Sequence, residues 1–138
     1  PYLNLTFFKG IAETIPDQLL LILAVKDSTY VGAAFSLVGG DNFYGRYWGC
    51  YEEYNSLHFE ACYYQGLEYC IKNNLKRFDS GAQGEHKIAR GFEPVTTYSA
   101  HWICDPKFSA LIGKFTKREA SLMEKYRTNV AELLPFKK

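Results

Sequence analysis

Apolar side chains recur along residues 4–15 at Phe8, Ile11, Ala12 and Ile15, the spacing of one helix face, and Pro16-Asp17 ends the run. A short entry helix is expected there. Residues 19–25 are continuously apolar, a pattern that suits a strand covered on both faces and so a central place in a sheet. Asp27-Ser28 then makes a turn into residues 30–38, where Val31, Ala33, Phe35 and Leu37 alternate with Gly32, Ala34 and Ser36. Gly39-Gly40-Asp41-Asn42 is a second turn signal, and residues 43–50 read as a third strand of an antiparallel meander. Strict alternation would put Tyr44, Arg46 and Trp48 on one face of that strand, and Phe43, Gly45, Tyr47 and Gly49 on the other.

The period changes to helical over residues 57–73, where Phe59, Cys62, Tyr63, Gly66, Leu67, Cys70 and Ile71 share an apolar face. Asn55 or Ser56 can cap the start of this helix, and Asn74 suits the left-handed turn at its end. Residues 75–80 suit a short strand. Residues 81–91 form a polar, glycine-bearing loop with room for one helical turn around Ile88. Residues 95–104, rich in β-branched and aromatic side chains, read as a last strand. Asp105-Pro106 is a cap followed by proline at the first helical position, and Phe108, Leu111, Ile112, Phe115, Leu122, Met123, Tyr126 and Val130 stripe a long final helix. The expected fold is α+β with a mixed sheet, in the order α-β-β-β-α-β-(α)-β-α, forming one domain over residues 1–138.

Composition narrows what such a domain could do. Hydrophobic residues make up 47% and charged residues 22% of the 138-residue chain, which is globular rather than disordered. Eleven Tyr, ten Phe and two Trp promise large rigid rings in the core and in any cleft. The net charge of +1, with cationic runs only at Lys114/Lys117/Arg118 and Lys137/Lys138, argues against DNA as a partner. Cys50, Cys62, Cys70 and Cys104 form no C-x-x-C pair, and no signal peptide precedes them, so reduced thiols and a cytoplasmic location are expected. His58 and Cys62 have the spacing of two metal ligands, but no second pair accompanies them, and no metal is expected. The apolar run 19–25 is too short to cross a bilayer. The chain opens on Pro1 rather than Met, as a processed or excised piece would.

The densest polar cluster is Gln83, Glu85, His86, Lys87 and Arg90, in the loop beyond a strand's C-terminal end, where open sheets tend to bind ligands. Proton-transfer chemistry in such a loop needs a base and hydrogen-bond donors for developing negative charge. Glu85 or His86 could supply the first, Gln83 or Lys87 the second; a salt-bridged network pinning the loop is the alternative. His58 and Glu60 sit in the first turn of the main helix, two apart, so only one of them would face a cleft. Arg46, flanked by Tyr44 and Trp48, would need a carboxylate such as Glu60 or Asp79, or a substrate carboxylate, to justify partial burial. His101, beside Trp102, could line the same cleft or be structural. Cys62 and Cys70 are most simply core.

The stretches Tyr44-Gly45-Arg46-Tyr47-Trp48-Gly49-Cys50, Leu57-His58-Phe59-Glu60-Ala61-Cys62-Tyr63-Tyr64-Gln65-Gly66, Gly81-Ala82-Gln83-Gly84-Glu85-His86-Lys87-Ile88-Ala89-Arg90-Gly91-Phe92 and Ser99-Ala100-His101-Trp102-Ile103 resemble the FemAB-like peptidoglycan biosynthesis/recognition family. The resemblance runs along essentially the whole chain. It implies a GNAT-type acyltransferase fold, in which the sheet splays between the meander's last strand and the strand after the main helix, with the acyl donor in the splay. Family members are much longer, so the chain would be the C-terminal part of a two-domain protein, sharing its cleft with an N-terminal domain. The implied activity is acyl or aminoacyl transfer to an amine of a cell-wall precursor or similar small metabolite. The expected catalytic residues are Glu85, His86 and Lys87, and the expected substrate-binding residues are Arg46, Trp48, His58, Glu60, Tyr63, Gln83, Arg90 and His101. Where many such enzymes hold coenzyme A phosphates on a glycine-rich turn, this chain has Tyr51-Glu52-Glu53-Tyr54-Asn55-Ser56, glycine-free and with two carboxylates that repel phosphate. That counts against coenzyme A bound in the usual manner and leaves both acyl-coenzyme A and a tRNA-linked donor open. Two further readings are a recognition domain without chemistry, and a scaffold or homodimer built on the final helix.

Overall fold

The computed structural model describes residues 3–82 and 84–136 and divides the chain into two compact units, Pro1–Ala82 and Gln83–Lys138. Gln83 and the Lys137/Lys138 run lie outside the described residues.

The first unit begins with α1 (Leu5–Thr14), whose Asn4 side chain accepts a hydrogen bond from the Phe7 N–H at 3.0 Å, the N-cap arrangement that satisfies an orphan donor. A turn of 3₁₀ helix, Pro16–Gln18, leads into β1 (Leu19–Lys26), β2 (Thr29–Gly39) and β3 (Asn42–Cys50), the expected antiparallel meander. Asp27 and Ser28 both take positive φ, 48° and 63°, as a two-residue hairpin turn matched to strand twist requires.

Among the described residues the sheet order is β1-β2-β3-β4, so β1 is an edge strand there and not the central one its apolar run suggested. The alternate side chains Leu21 and Leu23 are about half exposed, at 55% and 50%. β4 (Arg77–Asp79) pairs with β3 in parallel through Asn42↔Arg77, Phe43↔Phe78 and Tyr44↔Asp79. Its start is tied to the β2–β3 turn: the Asp41 carbonyl accepts from the N–H groups of Lys76 and Arg77, and Lys76 Nζ lies 2.6 Å from the Asp41 carboxylate.

Between β3 and β4 runs a helix in three segments, Leu57–Phe59 (α), Glu60–Tyr64 (π) and Gln65–Lys72 (α), together α2. Neither Asn55 nor Ser56 caps it. Ser56 sits at φ 63° and its hydroxyl bonds Asn55, so no side chain serves the first turn. The end is as expected: Asn74 takes φ 55°, the Leu75 N–H donates to the Cys70 carbonyl, and the Asn74 N–H donates to Ile71, a Schellman motif.

The two helices cover opposite faces of the meander. Phe8 of α1 meets Phe35 and Tyr47 edge-on, at ring separations of 5.7 and 6.0 Å. On the other face Phe43, fully buried, packs against Phe78 at 4.4 Å and Tyr69 at 6.0 Å. Ala34, Ser36, Ala61, Tyr63 and Cys70 complete that core.

In the second unit, Glu85–Arg90 forms a 3₁₀ helix closed by Gly91 at φ 86°, the turn expected around Ile88. Residues 95–104, expected as the last strand, form no strand: Val95, Tyr98 and Trp102 are 76%, 93% and 85% exposed. β propensity expresses itself only where a neighbouring ladder and a covered face exist, and among the described residues this stretch has neither. The chain ends in α3 (Pro106–Ala131), with Pro106 at the first position and the Asp105 carboxylate accepting from the Phe108 N–H at 2.7 Å. No helix of the described residues is long and apolar enough to cross a membrane.

Candidate functional site

The last β3–β4 pair is Tyr44↔Asp79, yet β3 continues to Cys50. From Arg46 to Cys50 the strand's edge facing away from β2 has no strand partner among the described residues. The pairing thus ends while β3 runs on, and this open stretch of edge, termed the wedge, presents backbone N–H and C=O groups of the kind that can accept another extended chain.

The opening coincides with an irregularity in the opposite ladder. Phe35 faces Tyr47 and Ser36 faces Gly45, so Arg46 is the extra residue of a β-bulge. A bulge switches side-chain alternation and re-aims the residues beyond it. Trp48 consequently shares a face with Phe43 and Gly45, and not with Tyr44 as strict alternation suggested. Arg46 itself is exposed: its guanidinium lies 5.1 Å from the Tyr44 ring centre and donates to the Gly45 carbonyl at 3.0 Å. The expected carboxylate partners, Glu60 and Asp79, are engaged elsewhere. Glu60 Oε1 accepts from Gln65 Nε2 at 2.8 Å, and Asp79 Oδ1 accepts from the Gly81 N–H at 2.8 Å.

The bulge delivers Trp48 to the first turn of α2. His58 lies among three aromatic rings: Phe59 at 5.3 Å, Tyr63 at 5.4 Å and Trp48 at 5.9 Å. His58 and Tyr63 are five residues apart, which ordinary α-helical winding places on different faces. The π segment removes that separation: the Gln65 N–H donates to the Glu60 carbonyl five residues back, and the wider turn carries His58 and Tyr63 to the same side. His58 and Trp48 are half-buried, Tyr63 is buried, and Glu60 points to the exposed side, so of the pair His58/Glu60 only the histidine joins the cluster. Phe59, expected only as part of the helix's apolar face, also belongs to this cluster. The available signal is the density of rings in Trp48…His58-Phe59…Tyr63, but without the π winding their convergence could not be drawn.

The turn at 51–56 stands at the same end of β3. Glu52 accepts the Tyr54 hydroxyl at 2.8 Å, and this bond raises the phenol above its ordinary range. Lys26 Nζ sits 4.8 Å above the Tyr54 ring, and a shallow open depression lined by Lys26, Tyr30, Tyr51, Glu52 and Tyr54 lies between this turn and the β1–β2 hairpin.

The remaining candidates belong to the second unit. Glu85 Oε1 accepts the hydroxyl of Tyr126 from α3 at 2.7 Å, an anchor for the 3₁₀ turn. Arg90 donates to the His86 carbonyl at 2.8 Å across the same turn. His86 is exposed and Lys87 half-buried. His101 lies exposed in the extended stretch with its Nε2 3.0 Å from the Ser99 hydroxyl. The structure therefore gathers Trp48, His58 and Tyr63 in one unit, and Glu85, His86, Lys87 and Arg90 on one turn of the other; Gln83 is outside the described residues.

The family model described as FemAB-like, peptidoglycan biosynthesis/recognition, matches residues 1–138, and the chain belongs to that family. No curated protein and no solved structure matches it.

Proposed function

We propose that this FemAB-like chain is part of an N-acyl or aminoacyl transferase of GNAT type, acting on an amine of a cell-wall precursor or similar small metabolite. The observation that carries this reading is the wedge. β3 outruns β4 by residues 45–50, the bulge at Arg46 puts Trp48 on the face of Phe43, and the π-wound start of α2 sets His58 among Trp48, Phe59 and Tyr63. An amide-bearing donor arm or peptide stem laid along residues 46–50 would satisfy the free backbone groups as an added strand, while the rings exclude water. In the transfer, the amine nitrogen forms a bond to the acyl carbon and the bond to the carrier breaks. A base takes the ammonium proton, and the departing carrier oxygen or sulfur is protonated. His58 is the base candidate if the site lies in the first unit; Glu85, His86 or Lys87 is the candidate if it lies in the second.

The test is transfer of a labelled acyl or aminoacyl group to a nucleotide-linked muropeptide, with acyl-coenzyme A and aminoacyl-tRNA as donors, in wild type, His58→Ala and the Glu85→Ala/His86→Ala pair. Loss of transfer in His58→Ala with retained muropeptide binding supports the wedge as the site. Unchanged turnover in all variants overturns it.

A second reading is favoured by one observation, the glycine-free turn carrying Glu52 and Glu53: a recognition domain that keeps the scaffold without the chemistry. Calorimetric titration separates the two, since muropeptide binding with no transfer from either donor supports recognition and tight acyl-coenzyme A binding excludes it.

A further inference from the structure

α3 is 26 residues long, about 39 Å at 1.5 Å per residue, and most of its apolar stripe from Phe108 to Met123 is exposed, whereas Val130 near its end is buried. Leu111, Phe115 and Leu122 are 63%, 60% and 52% exposed, and Phe108 and Met123 are comparably open. At 100° per residue these side chains fall within about a third of the circumference, wide enough to be an interface rather than scattered surface residues.

Charge decides what covers the stripe. The helix carries six Lys/Arg against two Glu, which at first suits an anionic lipid surface. Glu119, however, lies inside the stripe, between Phe115 and Leu122, and Arg118 lies at its border; immersion would bury that carboxylate in hydrocarbon. Among the described residues neither has an ion-pair partner: the one ion pair on the helix joins Arg127 and Glu124.

We propose that α3 pairs antiparallel with α3 of a second copy of this chain, about a two-fold axis between Arg118 and Glu119. In that register Arg118 faces Glu119 of the other copy and the reverse, as a self-complementary contact requires. Phe115 faces Leu122, and Leu111 faces Tyr126. Lys114, Lys117, Lys125 and Arg127 face Met123, Ala120, Ile112 and Ala110, and Lys107 falls beyond the contact because Val130 is buried in its own chain, so no like charges meet. A parallel, in-register pair would set Arg118 against Arg118 and Glu119 against Glu119, which selects the antiparallel arrangement. The inference stands independently of the transferase reading.

Sedimentation equilibrium of the whole chain tests it, with circular dichroism to confirm that each variant keeps its helix. The wild type should move from monomer to dimer as concentration rises. Arg118→Glu sets carboxylate against carboxylate twice and should raise the dimer dissociation constant at least about tenfold. The swap Arg118→Glu/Glu119→Arg exchanges the partners and should restore the wild-type constant. Phe115→Ser/Leu122→Ser, both at exposed positions, should abolish the dimer. A chain monomeric at every concentration overturns the proposal, as does a dimer indifferent to Arg118→Glu, or a monomer that sediments with vesicles containing phosphatidylglycerol.

Discussion

Gly66 of α2 lies against the ring of Phe78, so close that a Cβ built on it would come within 2.7 Å of Cε1 and 2.8 Å of Cζ, with the Phe43 ring 3.2 Å away on the other side. The missing side chain is what lets α2 descend onto the β3–β4 pair, immediately after its π segment. Both rings are packed against each other, so neither can swing aside. Gly66→Ala should therefore cost stability despite the better helix propensity of alanine, by about 1–3 kcal/mol as overpacking does. Urea denaturation with an unchanged slope and a lowered midpoint is the expected result.

The helix C-terminus gives a contrasting case, where backbone conformation decides. Asn74 holds φ 55° so that its own N–H and that of Leu75 can reach the Ile71 and Cys70 carbonyls. Asn74→Gly should leave stability nearly unchanged. Asn74→Val, which puts a β-branched side chain into the left-handed region, should lose about 1–2 kcal/mol. Equal midpoints for the two variants would contradict the assignment of the motif.

Much of this architecture is legible in the chain's local chemistry. Turn residues at Asp27-Ser28 and Gly39-Gly40 locate the meander, and Asp105-Pro106 locates the start of α3, because those residues act through their own backbone and need no distant partner. Features set by neighbours are not legible in that way. An apolar run such as residues 19–25 reports that a strand is apolar, not how many strands flank it, and among the described residues β1 is an edge. Alternation along β3 breaks at Arg46 because a bulge depends on the opposing strand, so strict alternation assigns Trp48 to the wrong face. The cluster at His58 is half legible: the residue types are visible, but the π turn that brings Tyr63 beside the histidine has no local sequence mark.

The four cysteines should separate by environment under a thiol reagent at neutral pH. Cys50 and Cys104 are exposed, while Cys70 is buried and its thiol is pushed above the ordinary range by desolvation. Only thiolate reacts, so Cys70 is suppressed both by access and by protonation. Cys50 and Cys104 should label quickly and Cys70 only as the first unit opens; mass spectrometry of the modified peptides gives the order. Early labelling of Cys70 would contradict its placement on the covered face of α2.

The bond from the Tyr126 hydroxyl to Glu85 raises the phenol's pKa above its usual value near 10, with partial desolvation and the carboxylate's charge acting in the same direction. A raised folded-state pKa contributes stability that is present below the unfolded value and is lost as pH rises through the folded one. The 3₁₀ turn Glu85–Arg90 should therefore stay anchored at neutral pH and loosen only in alkali beyond pH about 10. Spectrophotometric titration should show Tyr54 and Tyr126 ionising late, and Tyr126's share of that late component should be lost in Tyr126→Phe and fall back to the ordinary range in Glu85→Gln. An unaltered curve in both variants would mean the bond does not persist in solution.

The two tryptophans offer a direct report on the wedge. Trp102 is 85% exposed, whereas Trp48 is half-buried with its ring 5.9 Å from that of His58. In Trp102→Phe the remaining emission comes from Trp48 alone, and it should lie to the blue of the difference spectrum that Trp102 contributes, because its surroundings are less polar. A ligand laid along residues 46–50 must alter the solvent around that indole. Saturable change in Trp48 emission with a nucleotide-linked muropeptide or an acyl donor, retained in His58→Ala and abolished by Tyr63→Ala with the fold intact, locates binding in the wedge. Binding detected by calorimetry that leaves Trp48 silent would place the ligand elsewhere, and with it the chemistry assigned to His58.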